Sequence, residues 1–315
     1  MTKCSLSFNG TNSVVSITNK SIYNTLTLTV ECWIKTSVND FTQRGIINKY
    51  VDSSANGWTV TLDGGKIQVY YYSTSANHIN FIGTKNVADG VWHHIAFTVD
   101  STGGKIYIDG VVDTSSTWTG TPSIPTSTTN INIGLYQGGS YYFNGLIDEV
   151  RIWNVARTQN DIKNNMKRSI IGNETGLIGY WQLDEGTGTT INDLTTNSNI
   201  GTITNAIWSS DGHPIIKYLI QDKNSNLYTY NGTSILNSLS QVLEDANFKS
   251  NGFDDPTLIS ESLWNSTFPD RTGLQLLEWT DDTSVTNSSM IYNTNSYKPY
   301  EKLNSQFDIK MWKSN

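Results

Sequence analysis

Leu26-Thr27-Leu28-Thr29-Val30-Glu31-Cys32-Trp33-Ile34-Lys35 is the stretch on which the fold class turns. Every even position is apolar, so it reads as an extended strand with one buried face. The same period continues along the chain. Trp58 to Leu62 and Lys66 to Tyr70 flank Asp63-Gly64-Gly65, the pattern of a β-hairpin with glycine in its turn. Ile95, Phe97 and Val99 alternate next, and Thr102-Gly103-Gly104 leads into Lys105 to Ile108. Shorter alternations stand at Ile131 with Ile133 and at Val150 with Ile152. Many strands separated by turn residues, with few helical patterns, predict a mainly β antiparallel sandwich over residues 1–212. One helix is expected from Thr158, where Thr158-Gln-Asn-Asp161 has capping-box form and Ile162 and Met166 share a face.

Around His213-Pro214 the pattern breaks, and residues 213–315 read as a smaller α+β module. Tyr218 to Gln221 and Leu227 to Tyr230 suggest a hairpin, Ser240 to Lys249 a short helix. Leu274 to Trp279 and Phe307, Ile309 and Met311 suggest further strands.

The chain has 315 residues with 21 Lys+Arg against 28 Asp+Glu, a net charge of −7, and only 16% charged residues. Phosphate recognition needs clustered cations, so nucleic acid is not an expected partner. No basic run favours an anionic membrane, and no stretch is long and apolar enough to span one. The first residues enter strand-like alternation without an apolar h-region, so no signal peptide is expected. Cys4 and Cys32 are too few for a disulfide framework or a zinc site and are expected to be free thiols.

Six segments in order give residues 5–212 a likeness to a known family. They are Phe8-Asn-Gly-Thr-Asn-Ser-Val-Val15, Leu28 to Lys35, Trp92-His-His-Ile-Ala-Phe-Thr-Val-Asp100, Ile106-Tyr-Ile-Asp-Gly110, Phe143-Asn-Gly-Leu-Ile-Asp-Glu-Val-Arg-Ile-Trp153 and Gly176 to Gly186. Together they resemble the laminin-G-like, concanavalin-A-like jelly-roll family with pentraxin-type topology. The resemblance implies two packed antiparallel sheets and a carbohydrate- or protein-binding role. It also implies a structural calcium ion (Ca2+) at Asp148, joined by backbone oxygens near Asn9 and Gly10. More loosely, Lys217 to Asp222, Leu227 to Gly232 and Asn247 to Asp255 resemble a module of tail-fibre proteins from phages of Gram-positive bacteria.

Asp148 shares the parity of Val150 and Ile152, which predicts a carboxylate turned toward the apolar side. Such a group must be paired, hydrogen-bonded or metal-bound. The alternative is a strand-end Asp held by backbone N–H groups or facing solvent. His93 and His94 are strand neighbours facing opposite ways, so they cannot share one ligand sphere. Enzymatic signatures are missing: the sequence contains no Glu-x-Asp-x-x-Glu, Gly-x-Ser-x-Gly, P-loop or His-Glu-x-x-His. The acidic neighbours Asp148-Glu149 are expected to face apart.

Aromatics are the better lead, because sugar rings stack on Tyr and Trp while amides and carboxylates take their hydroxyls. Tyr71 within Tyr70-Tyr71-Tyr72, Tyr136, Tyr141 and Tyr142 around a Gly-rich loop, and Trp118 in a Thr/Ser-rich loop are the candidate contacts. The alternative use of each is to cover a sheet face. These readings converge on a non-enzymatic, lectin-like receptor-binding protein for cell-surface polysaccharide, carried on a virion or phage-tail-like particle for host attachment. A homo-oligomer or larger tail assembly would multiply weak sites. The competing reading is a bacterial adhesin or assembly protein whose sandwich binds protein.

Overall fold

The computed structural model describes residues 4–136, 141–166, 170 and 172–213, together with the backbone of six later strands. The strands of the sandwich begin with β1 (Ser5–Asn9), β2 (Val14–Ile17), β3 (Leu28–Lys35), β4 (Arg44–Asn48), β5 (Gly57–Asp63) and β6 (Lys66–Thr74). They continue with β7 (Asn77–Ile82), β8 (Trp92–Asp100), β9 (Gly103–Ile108), β10 (Val111–Ser116), β11 (Ile131–Ile133), β12 (Leu135–Tyr136) and β13 (Tyr141–Tyr142). After β14 (Asn144–Trp153) comes the helix α1 (Gln159–Asn165), then β15 (Leu177–Trp181), β16 (Thr190–Ile191), β17 (Gly201–Thr204) and β18 (Ile207–Ser209).

One sheet runs β10-β9-β8-β3-β14-β1-β18, with β15 also paired to β14. The second runs β16-β17-β2-β11-β4-β5-β6-β7. Val30, Cys32, Ile34, Ile95, Phe97, Val150 and Ile152 from the first sheet meet Val15, Ile17, Trp58, Val60, Val69 and Tyr71 from the second in one continuous core. Each such side chain contributes roughly 1.5–3 kcal/mol by leaving water. The expected hairpin forms with Trp58 opposite Tyr71 and Asp63 opposite Lys66. The expected helix also forms, and its capping box is complete: Asp161 N–H donates to the Thr158 hydroxyl and Thr158 N–H to the Asp161 carboxylate. Cys4 is partly exposed, Cys32 is buried, and the two do not form a disulfide with each other.

β3 departs from the expectation of one buried face. Its odd residues Thr29, Glu31 and Trp33 are as buried as its even ones. α1 and the segments beside it roof that outer side. Ile162 of α1 packs on Ala96 and Tyr107, while Trp33 Nε1 donates to Met166 O at 2.7 Å.

β14 carries a second departure. Asp148 sits opposite Trp33, yet Arg151 sits opposite Glu31, so β14 spends one residue more than β3 over this span. Glu149 takes a left-handed backbone (φ +51°), which marks a β-bulge. Alternation is therefore interrupted between Asp148 and Val150. Val150 faces the core, while Asp148 turns outward beside Trp33 instead of toward the apolar interior.

A close approach by β12–β13 shapes the second sheet. This small hairpin docks on β4, with Tyr142 beside Gly45. A Cβ at Gly45 would lie 2.0 Å from the Tyr136 nitrogen, so the contact requires glycine.

Beyond the sandwich, β19 (Ile216–Gln221), β20 (Leu227–Tyr230), β21 (Ile235–Leu236), β22 (Gln275–Thr280), β23 (Ser288–Asn293) and β24 (Trp312–Lys313) form a separate antiparallel sheet. Its order is β21-β20-β19-β22-β23-β24, and β19 and β20 pair as the sequence suggested. The expected helix at 240–249 and the strand positions Phe307, Ile309 and Met311 lie outside the described residues.

Candidate functional site: a tyrosine face on the second sheet

Along β6, Ile67, Val69 and Tyr71 point inward, so Gln68, Tyr70 and Tyr72 occupy the outer face of the second sheet. Tyr50, which follows β4, joins them at ring-centroid distances of 5.6 Å to Tyr70 and 5.3 Å to Tyr72. Tyr136, brought over this face by the hairpin on Gly45, lies parallel to Tyr50 at 6.5 Å and edge-on to Tyr70 at 6.1 Å. Tyr141 extends the group from Tyr136 at 5.8 Å. At the opposite end the His78 ring stacks on Tyr72 at 4.4 Å. From β4 to β7 this crosses three strand spacings, about 14 Å. The cluster is thus an elongated strip lying across the strands.

Its members divide by exposure. Tyr50 is 7% and Tyr136 4% exposed, so both act mainly as supports. Tyr70, Tyr72 and His78 are half-buried, and Tyr141 is 42% exposed. Polar groups edge the rings. The Gln43 amide donates to Gln68 Oε1 at 2.5 Å and to the Tyr70 hydroxyl. Asn80 donates to the Tyr72 hydroxyl at 3.2 Å. The Tyr136 hydroxyl donates to exposed Asp52 at 3.1 Å. Burial, followed by the charge of Asp52, pushes the Tyr50 phenol up to about 12. Burial also raises Tyr70. These phenols therefore present neutral O–H groups. Rings, amides, hydroxyls and one carboxylate on a single face can stack a sugar and hold its hydroxyls.

The sequence candidates divide around this strip. Tyr136 and Tyr141 belong to it, with residues 137–140 between them outside the described set. Tyr142 is half-buried at its edge, where its carbonyl accepts from Arg44 at 3.0 Å. Tyr71 is a correction: it is fully buried in the core, and its hydroxyl donates to Thr25 O at 2.6 Å. Trp118 is another, because it packs edge-on to Tyr71 and donates to Asp100 O at 2.8 Å. Tyr70 and Tyr72 flank Tyr71 in the cluster the sequence marks, whereas Tyr50, His78, Gln43, Gln68 and Asp52 were not singled out. The parity of β6 could have found Tyr70 and Tyr72, since Tyr71 shares the phase of Ile67 and Val69.

The calcium arrangement does not assemble. Asp148 Oδ1 accepts from Glu149 N at 2.9 Å, and Oδ2 from the His213 backbone at 3.1 Å, with His213 Nδ1 at 2.8 Å. Asn9 pairs with Asn144, four residues along β14 from Asp148, or about 13 Å. Its own Oδ1 closes a turn by accepting from the Thr11 and Asn12 amides. Gly10 lies beyond it. Asp148, Asn9 and Gly10 therefore do not converge, and among the described residues no group of three or more His, Cys, Asp or Glu side chains could hold a metal ion.

The acidic residues of β14 are engaged elsewhere. The bulge places Asp148 and Glu149 on the same outer side of the first sheet, correcting the expectation that they face apart. Glu149 Oε2 accepts from Arg151 at 2.6 Å and from Tyr180 at 2.8 Å. Glu31 accepts from Trp153 Nε1 at 2.9 Å and lies 3.5 Å from Arg157. Burial opposes the Arg151 charge, but Glu149, Tyr180 and Glu31 outweigh it and raise its pKa. Glu31, Glu149 and Arg151 are each 1% exposed, so this network is sealed from any substrate. His93 and His94 do point apart. His93 Nδ1 is 2.9 Å from Asp109, whereas His94 is buried 3.7 Å from Glu31.

No curated protein matches the sequence. Among solved structures, a candidate carbohydrate-binding protein of Bacteroides ovatus shares 23% identity at a TM-score of 0.55. The alignment covers 68% of this chain and 61% of that one, so the chain spans under two thirds of its length. A pentraxin of Limulus polyphemus shares 14% identity at a TM-score of 0.41, covering 52% of this chain and 81% of its own. The CBM40 module of a Ruminococcus gnavus sialidase shares 13% at 0.38, covering 45% and 84%. These likenesses concern the fold. Residues 9–163 match the family model described as the concanavalin A-like lectin/glucanases superfamily.

Proposed function

We propose that the protein is a lectin-like recognition protein that binds glycan on the tyrosine face of its second sheet, without catalysis. The observation that carries this reading is the strip of Tyr141, Tyr136, Tyr70, Tyr72 and His78 edged by Gln43, Gln68, Asn80 and Asp52. Rigid rings on a sheet lose little entropy on binding, and amide and carboxylate edges fix hydroxyl positions. The sealing of Glu31 and Glu149 around Arg151 supports a binding role over a hydrolytic one. The finer setting, a phage tail or related particle attaching to Gram-positive cells, rests on the likeness of residues 217–255 to tail-fibre modules.

Labelled full-length protein should bind Gram-positive cells and lose that binding when wall polysaccharide is stripped. Replacing Tyr70 and Tyr72 together with Ala should abolish it while the fold persists. Binding that survives stripping would overturn the glycan reading in favour of a protein receptor. Binding that survives the double substitution would displace the site from this face.

A further inference from the structure

The charges around the tyrosine strip are one-sided. Asp52 is exposed at its edge, with Oδ1 held by the Tyr136 hydroxyl. Its field reaches the rings, adding to the burial that raises both Tyr50 and Tyr70. The Asp63 charge also acts on Tyr70, but Asp63 sits directly opposite Lys66 at the end of the hairpin, so these two charges offset each other. Among the described residues two cations stand nearby, and neither offsets the charge of Asp52. Arg44 is bound by both oxygens of Asp40, at 3.1 and 2.6 Å, and by the Tyr142 carbonyl. Lys66 lies on the outer face of β6 opposite Asp63, four residues from Tyr70. That is about 13 Å, beyond the screening length of physiological salt. A bound sugar acid would therefore meet an acidic edge without a partner, while a hydroxyl pair or an amine would meet an acceptor.

We propose that Asp52 sets the charge selectivity of this face, which admits uncharged and amine-bearing sugars and excludes those carrying carboxylate, sulfate or phosphate. This rests on the glycan-binding reading and deepens it. Two unit charges at contact distance in water interact enough to change binding by roughly fivefold. An acid-bearing sugar should therefore bind at least about fivefold more weakly than its neutral counterpart. Asp52 lies in a short exposed turn after β4, so its exchange for Asn does not disturb the core.

The test is a glycan array with full-length protein and Asp52→Asn, including pectic oligogalacturonides beside their methyl esters and chitooligosaccharides beside their de-N-acetylated forms. The wild type should favour esterified over acidic and amine-bearing over acetylated members, and Asp52→Asn should flatten both preferences. High salt should narrow the wild-type difference without any substitution, which guards against a variant that fails to fold. Acidic glycans bound as well as neutral ones, unchanged in Asp52→Asn, would overturn the charge rule while leaving glycan binding intact. Binding to no glycan at all would overturn the underlying function.

Discussion

On the outer face of the first sheet, Glu31, Arg151 and Glu149 are sealed beneath the roof that includes α1, whereas on the outer face of the second Tyr70, Tyr72 and Gln68 remain half open. Both faces place polar groups where a strand pattern alone would predict a solvated surface. In one, charges are matched to each other and closed off, so they hold the roof in place. In the other, neutral rings and amides leave hydrogen-bonding capacity facing outward. The difference teaches that a rich polar network is not by itself a site; accessibility decides.

The largest expected effect breaks the sealed face. Arg151→Met leaves Glu31 and Glu149 buried without their shared cation and should cost about 3–5 kcal/mol in urea unfolding. A loss below about 1 kcal/mol would mean water reaches these carboxylates and the face is not closed.

Within β6, adjacent tyrosines should separate the two roles. Tyr71→Ala opens a core cavity and should cost about 3 kcal/mol, while the folded fraction keeps its glycan affinity. Tyr72→Ala should do the reverse, weakening glycan binding about tenfold with a stability change under about 1 kcal/mol. Equal stability losses from both would erase the distinction between inner and outer phases of the strand.

Two neighbouring histidines sharpen the comparison through pH. Burial holds His94 down at about 4, so it folds neutral. Its contribution is complete above 6.5 and is lost as pH falls from 6.5 toward 4. His93 goes the other way: the Asp109 hydrogen bond raises it against the opposing effect of burial. Its stabilisation is full below 6.5 and disappears as pH rises through the raised value. Stability measured against pH for His94→Gln and His93→Gln should flatten on opposite sides of 6.5. Flattening on the same side would contradict the two environments.

A last contrast concerns Lys49, which is buried and donates to Asn19, Ser127 and Thr129 oxygens. Burial lowers its pKa to about 8, so the unfolded chain holds the proton more tightly between 8 and 10.5. Stability should therefore gain a rising component across that window, which Lys49→Met should remove. An unchanged pH slope in that variant would mean the ammonium is better solvated than its burial implies.

Period-2 alternation made the sandwich legible, because one buried face per strand leaves its phase in the sequence, as in Leu28 to Ile34. The capping box at Thr158 announced α1 for the same reason of local chemistry. What the pattern did not carry was the roof over β3, since Thr29, Glu31 and Trp33 are polar or amphipathic and gave no sign of burial. The tyrosine face was half legible: Tyr136 and Tyr141 stood out by their Gly-rich setting, but Tyr50 enters only through packing across the sheet. Asp148 was placed on the wrong side because a bulge leaves no composition signal.

That bulge lets β14 carry one residue that β3 does not match, and only that residue depends on it. Without Glu149, Asp148 would still lie opposite Trp33 and Arg151 opposite Glu31, because Asp148 and Val150 already face opposite sides of the sheet. What would vanish is the carboxylate on which Arg151 and Tyr180 meet. A relative one residue shorter here would keep the same faces of the sandwich and leave Arg151 short of an anion. Length at this one position, more than identity along the strand, would thus mark which homologues keep the sealed arrangement.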